Sequence, residues 1–402
     1  MAEVFIVDGC RTPMGKIGGQ LAFVRPDDLA AHVVGRLLAR HPDLDPMAIE
    51  DVQWGAANQA GEDNRNLARM ASLLAGLPIE VPGATVNRLC GSGMQAVVSA
   101  THALKDGWGD VMIAGGSESM TRAPYVTMKA ERAFPTGAPE SVDTVLGWRL
   151  VNPRMERLYP PISLGMTAEV VGDKYDVTRD DQDRFALASH QKAVAAAAAG
   201  RFDSEIEPID APTDARGRET RLVHDDEGPR ADTSMEKLAK LPPVFKEGGS
   251  VTAGNSSPMN DGAAALLLAT KEGLDRHGLT PMARIVSNGA AGVHPDIMGI
   301  GPVPASEKAL VRAGIDTDQL DLIELNEAFA SQAVAGVRLL ALDEERVNVN
   351  GGAIALGHPL GASGARLLVT LSHELRRRGG RYGLATMCIG VGQGISTVIE
   401  SV

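Results

Sequence analysis

The sequence of 402 residues predicts an α/β fold in which one strand–helix–strand unit is used twice, with a long insertion carried on the first copy. Three observations carry this reading. A shift of 271 residues superimposes two stretches without a gap: Leu44-Asp45 and Ile49-Glu50-Asp51-Val52 fall on Ile315-Asp316 and Leu320-Asp321-Leu322-Ile323, while Ser92-Gly93, His102 and Leu104 fall on Ser363-Gly364, His373 and Leu375. Two regions that share one offset are the mark of an internal repeat. In each copy a Ser-Gly pair opens a helical apolar stripe that leads into a short apolar strand, and buried strands joined by a helix pair in parallel. Finally, apolar residues make up 44% of the chain but aromatics only 3%, with 45 glycines, so packing rests on small aliphatic side chains and close backbone approach.

Taken in order, Glu3-Val4-Phe5-Ile6-Val7-Asp8 reads as a strand rather than a charged leader with an apolar core. The first repeat helix carries Met94, Val97, Val98, Thr101 and Leu104 at three- and four-residue spacing, and the strand Val111-Met112-Ile113-Ala114 follows it. From about Thr121 to Gly249 the texture changes to Pro, Arg and Asp clusters, such as Tyr159-Pro160-Pro161 and Asp225-Asp226-Glu227-Gly228-Pro229-Arg230. One strong helix interrupts them, capped by Thr178 with Asp181 three residues on and running to Gly200. Residues Thr252 to Thr270 return to strand composition and are expected to rejoin the first sheet. The second copy repeats the stripe with Leu367, Leu368, Leu371 and Leu375, then the strand Tyr382 to Cys388. The expected organisation is therefore an N-terminal half at 1–120, an inserted loop domain at 121–249, a return of the first half at 250–272, and a C-terminal half at 273–402.

A net charge of −12 repels phosphate backbones and anionic lipid, which argues against nucleic-acid or membrane binding as the main function. No apolar run approaches the ~20 residues that a membrane span needs. Three cysteines without framework spacing point to a reducing compartment, and a cytoplasmic protein is expected. No Cys/His cluster has metal-ligand spacing, so no metal is expected.

Three glycine-rich turns carry the chemistry. Cys90 lies in Asn87-Arg88-Leu89-Cys90-Gly91-Ser92-Gly93, His358 in Gly351 to Pro359, and Cys388 in Cys388-Ile389-Gly390-Val391-Gly392-Gln393-Gly394. Two thiols and one imidazole, each where backbone N–H groups can face a ligand, are the parts for acyl transfer through a thioester. Cys90 precedes the positive end of a helix, so a thiolate at neutral pH is expected. His358, held against Pro359, is the candidate base. By the repeat shift it corresponds to Asn87, so two half-sites would face each other. The Gly390 turn can aim N–H groups at an oxyanion. Asn326, after the strand Leu322-Ile323, either orients a water or carbonyl or simply forms a turn. Cys10, without a partner motif, reads as a core residue, and the repeat-related His102 and His373 as packing or surface residues.

These motifs, with Asn326-Glu327-Ala328-Phe329 and the Gly-His-Pro turn in the same order, resemble the thiolase family along the whole chain. The resemblance implies a thiolase-like α/β/α/β/α layered fold and coenzyme A as co-substrate, with no cofactor bound permanently. Cys90 would carry the acyl group, His358 would activate it, and Cys388 would exchange a proton with the substrate α-carbon. A water on Asn326, with His358, would form one oxyanion site, and the Cys90 and Gly390 amides the other. Ser257 would contact the pantetheine, Ala328 and Phe329 would line its tunnel, and Arg230 would lie near the adenine nucleotide. A homodimer or homotetramer is implied, with acyl-CoA and CoA as partners.

Where the acetoacetyl-CoA branch has His-Met-Gly, this chain has Ser163-Leu164-Gly165, which departs from the biosynthetic pattern. Ala57 to Asn66, Leu146-Gly147-Trp148-Arg149 and Met298 to Pro304 look most like the thiolases that act on 3-oxoadipyl-CoA. Arg122, Lys129, Arg132, Arg149 and Arg154 are the candidates for meeting that substrate's distal carboxylate. Two other readings compete. A condensing ketoacyl synthase shares the duplication but has no need of the Cys388 turn. A non-catalytic acyl-CoA-binding protein would lack the nucleophile or the histidine, and neither is missing. A dinucleotide site at Gly390 to Gly394 fails because no helix follows, and a phosphate loop at Gly9 to Lys16 fails on spacing.

Overall fold

The computed structural model describes residues 2–402. The first half contributes strands β1 (Val4–Arg11), β2 (Ile49–Gly55), β3 (Gly83–Val86), β4 (Val111–Ser119) and β5 (Asn260–Thr270). The second contributes β6 (Ala283–Gly292), β7 (Leu322–Leu325), β8 (Tyr382–Ile389) and β9 (Gln393–Ser401). Their order is β7-β8-β9-β6-β1-β5-β4-β2-β3, which reads alike from both ends once the extra strand β3 is set aside. As the repeat predicts, β2 runs parallel to β4 and β7 parallel to β8. The remaining long strands pair antiparallel. Where β1 meets β6 the two halves share a ladder of two residue pairs, Phe5 with Arg284 and Ile6 with Ala283.

Both β4 and β5 are buried along their whole length, which is why their sequences are apolar and small on both faces rather than alternating. Helices α2 (Ser92–Lys105) and α7 (Leu360–Arg378) form the layer between the two halves of strands. On the outer faces lie α1 (Pro26–Ala39), burying Leu29, Val33 and Leu37, and α5 (Pro302–Ala313), burying Ala305, Ala309 and Leu310. The result is five layers, helix and sheet in alternation.

The contact between α2 and α7 is set by two repeat-related glycines. A Cβ on Gly93 would come within 2.6 Å of the Gly361 carbonyl oxygen, and one on Gly364 within 2.4 Å of the Met94 nitrogen. With no side chain at either position the helices meet backbone to backbone, and the turns that precede them are drawn together. Glycine inside a helix costs about 0.5–1 kcal/mol against alanine, so the helices are held by burial rather than by propensity. The second helix departs from the repeat: it begins at Leu360, three residues before Ser363. Pro359 fixes its own φ at −69° and starts α7 early, leaving His358 just outside the helix and Ser363 within its first turns.

In the insertion, α3 (Leu164–Lys174) and α4 (Arg179–Ala198) pack beside α6 (Ala330–Leu339) of the second half. Thr178 and Asp181 form a full capping box at the start of α4, which ends at Ala198. Arg11 on β1 ties the insertion down: its guanidinium lies 2.7 Å from Glu205 and 2.7 Å from Asp226, all three side chains almost fully buried. Cys10 is buried in the core and bonds only the Val33 carbonyl.

Candidate active site

Cys90 sits one residue before the Gly91 cap of α2. The residue before it, Leu89, has φ +48°, a left-handed conformation that a leucine adopts only when its surroundings enforce it. Here Asn87 Oδ1 accepts from Leu89 N at 2.8 Å, and Ser92 Oγ accepts from Arg88 N at 2.9 Å while donating to Leu89 O at 2.6 Å. The nucleophile therefore stands on a braced, strained turn.

The serine related to Ser92 by the repeat braces the histidine. Ser363 Oγ lies 2.9 Å from Pro359 O, which can only accept, and 2.6 Å from His358 Nδ1. When the hydroxyl proton goes to Pro359, Ser363 Oγ accepts from Nδ1–H and Nε2 keeps its lone pair, the form a base needs. The His358 backbone N–H is held by Asn260 Oδ1 at 2.9 Å. Burial, with the Arg366 charge adding to it, lowers the imidazole to about 3, so His358 is neutral and able to take a proton.

Asn326 approaches the ring, its Nδ2 at 3.5 Å from Nδ1 and 3.4 Å from Nε2. Its Oδ1 is buried and has no hydrogen-bond partner among the described residues. A buried acceptor left open beside an imidazole is suited to a water. Cys388, at the end of β8, is buried, and its thiol is raised well above the ordinary range by burial and by its nearness to Cys90.

Cys90, His358 and Cys388 line one small cavity of about 60 Å³, together with Ser257, Ala328 and Phe329. A second cavity of about 250 Å³ shares Cys90, Leu146, Leu164 and Leu360 with the first, and reaches Gly390, Glu118 and Arg149. The expectation of a resting thiolate is corrected. Burial raises the Cys90 thiol to about 11, even though the N–H groups of Gly390 and of Cys90 itself face the sulfur and favour its anion. Desolvation outweighs those N–H groups, so Cys90 rests as a thiol and must lose its proton as it attacks.

The profile described as "Thiolase, N-terminal domain" matches residues 4–272, and "Thiolase, C-terminal domain" matches residues 279–401. The chain belongs to the thiolase family. This thiolase is 55% identical to the beta-ketoadipyl-CoA thiolase of Pseudomonas aeruginosa, over all of this chain and 99% of that one. It is 54% identical to the 3-oxoadipyl-CoA/3-oxo-5,6-dehydrosuberyl-CoA thiolase of Escherichia coli K12, covering 100% of both. The crystal structure of human mitochondrial 3-ketoacyl-CoA thiolase in complex with CoA superposes with a TM-score of 0.92 at 41% identity, covering 100% of this chain and 98% of that one.

As a thiolase the protein is an acyltransferase. Ser257 bonds through both its backbone N–H and its hydroxyl to Ala328 O, each at 3.0 Å, so the predicted pantetheine residues form one wall of the small cavity. Arg230 lines neither cavity; its backbone N–H donates to His190 Nδ1 at 3.2 Å. Two site residues escaped the sequence reading. Ser363 was visible as the partner of Ser92 and could have been found by asking what the repeat keeps beside a turn. Glu118 had no local signal: its carboxylate accepts from Ala57 N at 2.9 Å, Asn58 N at 3.0 Å and Gly361 N at 2.8 Å, drawn from two distant segments. Burial, followed by the nearby Asp63, raises it to about 7. Among the described residues no cluster of His, Cys, Asp or Glu could hold a metal, and no helix is long and apolar enough to cross a membrane.

Proposed function

We propose that this thiolase cleaves 3-oxoadipyl-CoA with coenzyme A to acetyl-CoA and succinyl-CoA, as a degradative enzyme of the cytoplasm. The observation that carries this reading is the meeting of Cys90, His358 and Cys388 in one cavity, from which a second, larger cavity leads away at Cys90. The full-length identity to two thiolases named for that substrate supports the choice of acyl group.

His358 Nε2 takes the Cys90 proton as the sulfur attacks the C3 carbonyl, and the amides of Cys90 and Gly390 receive the negative charge that develops on its oxygen. The C2–C3 bond then breaks. Its electron pair becomes the enolate of acetyl-CoA, whose oxygen is held by His358 and a water on Asn326, and whose α-carbon takes the proton from Cys388. Acetyl-CoA leaves a succinyl thioester on Cys90. The thiol of a new CoA gives its proton to the Cys388 thiolate and attacks that thioester, and the Cys90 sulfur leaves and regains its proton from His358. Ser257, Ala328 and Phe329 would guide the pantetheine arm, and Arg230 the nucleotide end.

Tyr125, Met128 and Phe134, exposed at 71%, 65% and 95%, cluster about the hairpin Tyr125–Thr127 and Ser141–Asp143 and support assembly as a homodimer or homotetramer. Incubation of wild type with 3-oxoadipyl-CoA in the absence of free CoA, followed by intact mass measurement, is expected to show one succinyl group added. Cys90→Ala should show none, and an adduct on that variant would refute the assignment of the nucleophile.

A further inference from the structure

Five basic side chains of the insertion were candidates to meet a distal carboxylate, and the structure separates them. Lys129, Arg132 and Arg154 are exposed and line neither cavity at Cys90. Arg122 is neutralised by Glu62, which takes two of its guanidinium nitrogens. Arg149 alone lines the larger cavity with Cys90. It is half-buried, and its one hydrogen bond within the protein is from Nη1 to the Thr144 carbonyl at 2.6 Å. No described carboxylate forms an ion pair with it, so Nε and Nη2 remain free to donate.

The anchor is itself fixed. Thr144 Oγ1 donates to Pro124 O at 2.6 Å and accepts from Asn58 Nδ2 at 2.9 Å, and Asn58 N donates in turn to Glu118 at 3.0 Å. Arg149 is therefore held by a chain of bonds that runs back to the wall of the same cavity. Glu118, the other charged group in that wall, has both oxygens turned to backbone N–H groups. An arginine that lines an acyl cavity, is braced at one nitrogen and lacks an acid of its own leaves a carboxylate-shaped gap in the protein's pairing.

We propose that Arg149 is the specificity-determining residue of this thiolase, pairing with the distal carboxylate of the acyl group while that group is bound at Cys90. The inference rests on the dicarboxylate reading of the substrate given above. A charge in a partly dry cavity is costly without a partner, so the pair would favour a dicarboxylic acyl chain over an uncharged chain of equal length.

The test compares kcat/KM for 3-oxoadipyl-CoA and 3-oxohexanoyl-CoA, the uncharged chain of the same length, in wild type, Arg149→Gln and Arg149→Lys. The ratio of the two substrates within one preparation does not depend on how much of the enzyme is folded. Arg149→Gln should lower the ratio about thirtyfold or more, the scale of a lost hydrogen bond to a charged group. Arg149→Lys should retain part of the preference, because it keeps the charge but not the planar fork. If wild type prefers the dicarboxylate and Arg149→Gln keeps that preference, the assignment of Arg149 is overturned while the substrate stands. If wild type shows no preference, the dicarboxylate reading fails, and the role of Arg149 fails with it.

Discussion

Ser363 Oγ lies 2.6 Å from His358 Nδ1, and the two residues occupy opposite ends of one proline-started turn. The hydroxyl fixes which nitrogen of the imidazole carries the proton. Ser363→Ala is expected to lower kcat about tenfold or more with little change in KM, since Nδ1 loses its acceptor and the base is no longer held in one tautomer. Ser363→Thr, which keeps the hydroxyl, should recover much of the rate. Stopped-flow measurement of acyl-enzyme formation checks this. Parallel changes in kcat, KM and melting temperature, with no recovery in the threonine variant, would mean that the serine only supports the fold.

Cys388→Ser separates the two thiols. A hydroxyl is a much weaker acid and base than a thiol, yet Cys90 and its turn are untouched. Transfer of an acetyl group from acetyl-CoA to the enzyme should persist, while exchange of the acetyl-CoA methyl protons with solvent deuterium falls ~10²-fold or more, the usual scale for a lost general acid or base. Equal losses in both measurements would count against a proton-transfer role for Cys388.

The pH profile follows from two neutral groups. His358, lowered to about 3, is unprotonated throughout the working range, and Cys90, raised to about 11, is a thiol throughout it. The rate of acyl-enzyme formation should therefore be flat from about pH 6 to 9, without the acid limb near 6.5 that an ordinary imidazole gives. Stability has a definite sign. Because the folded His358 binds its proton more weakly than the unfolded one, its contribution is complete above about 6.5 and is lost as pH falls toward about 3. An acid limb between 6 and 7 in the acylation rate would show that His358 titrates in its usual range.

Gly364→Ala tests the helix contact. The new methyl would meet the Met94 backbone nitrogen at 2.4 Å, and backbone cannot rotate away as a flexible side chain can. We expect a loss of about 1–3 kcal/mol of stability, the usual cost of overpacking. The acylation rate of the protein that remains folded should fall as well, because the Cys90 and His358 turns are carried on the two helices pushed apart. Denaturant melts and active-site titration of the same samples give both numbers, and full activity per folded molecule would exclude the coupling.

Much of the central architecture was legible because it is written twice. The shift that aligned Ser92 with Ser363 also aligns the start of β4 at Val111 with that of β8 at Tyr382, and parallel pairing of β2 with β4 and β7 with β8 followed. The antiparallel pairing of β5 and β9 with their neighbours was not legible, since a strand buried on both faces has the same apolar composition in either direction. Nor could a sequence show that burial would hold Cys90 as a thiol: the glycine turn and the helix are local, while the atoms that exclude water, Ile389 and Ile395 against Gly91 among them, come from the far end of the chain. Glu118 was hidden for the same reason, its three donors being non-local.

The strand order that reads alike from both ends has a consequence for how activity is acquired. The nucleophile is on one side of the join and its base and proton carrier are on the other, while a single strand pair, β1 with β6, crosses it through two residue pairs. Turnover thus reports docking rather than the internal order of either half. A chain cut at Gly278, where the helix Lys271–His277 ends between the two matched domains, is expected to give two silent fragments whose mixing restores catalysis at a rate that depends on concentration, as in an enzyme with its active site shared between subunits. In the intact chain the covalent link supplies that concentration, so docking of the halves is an intramolecular counterpart of subunit assembly.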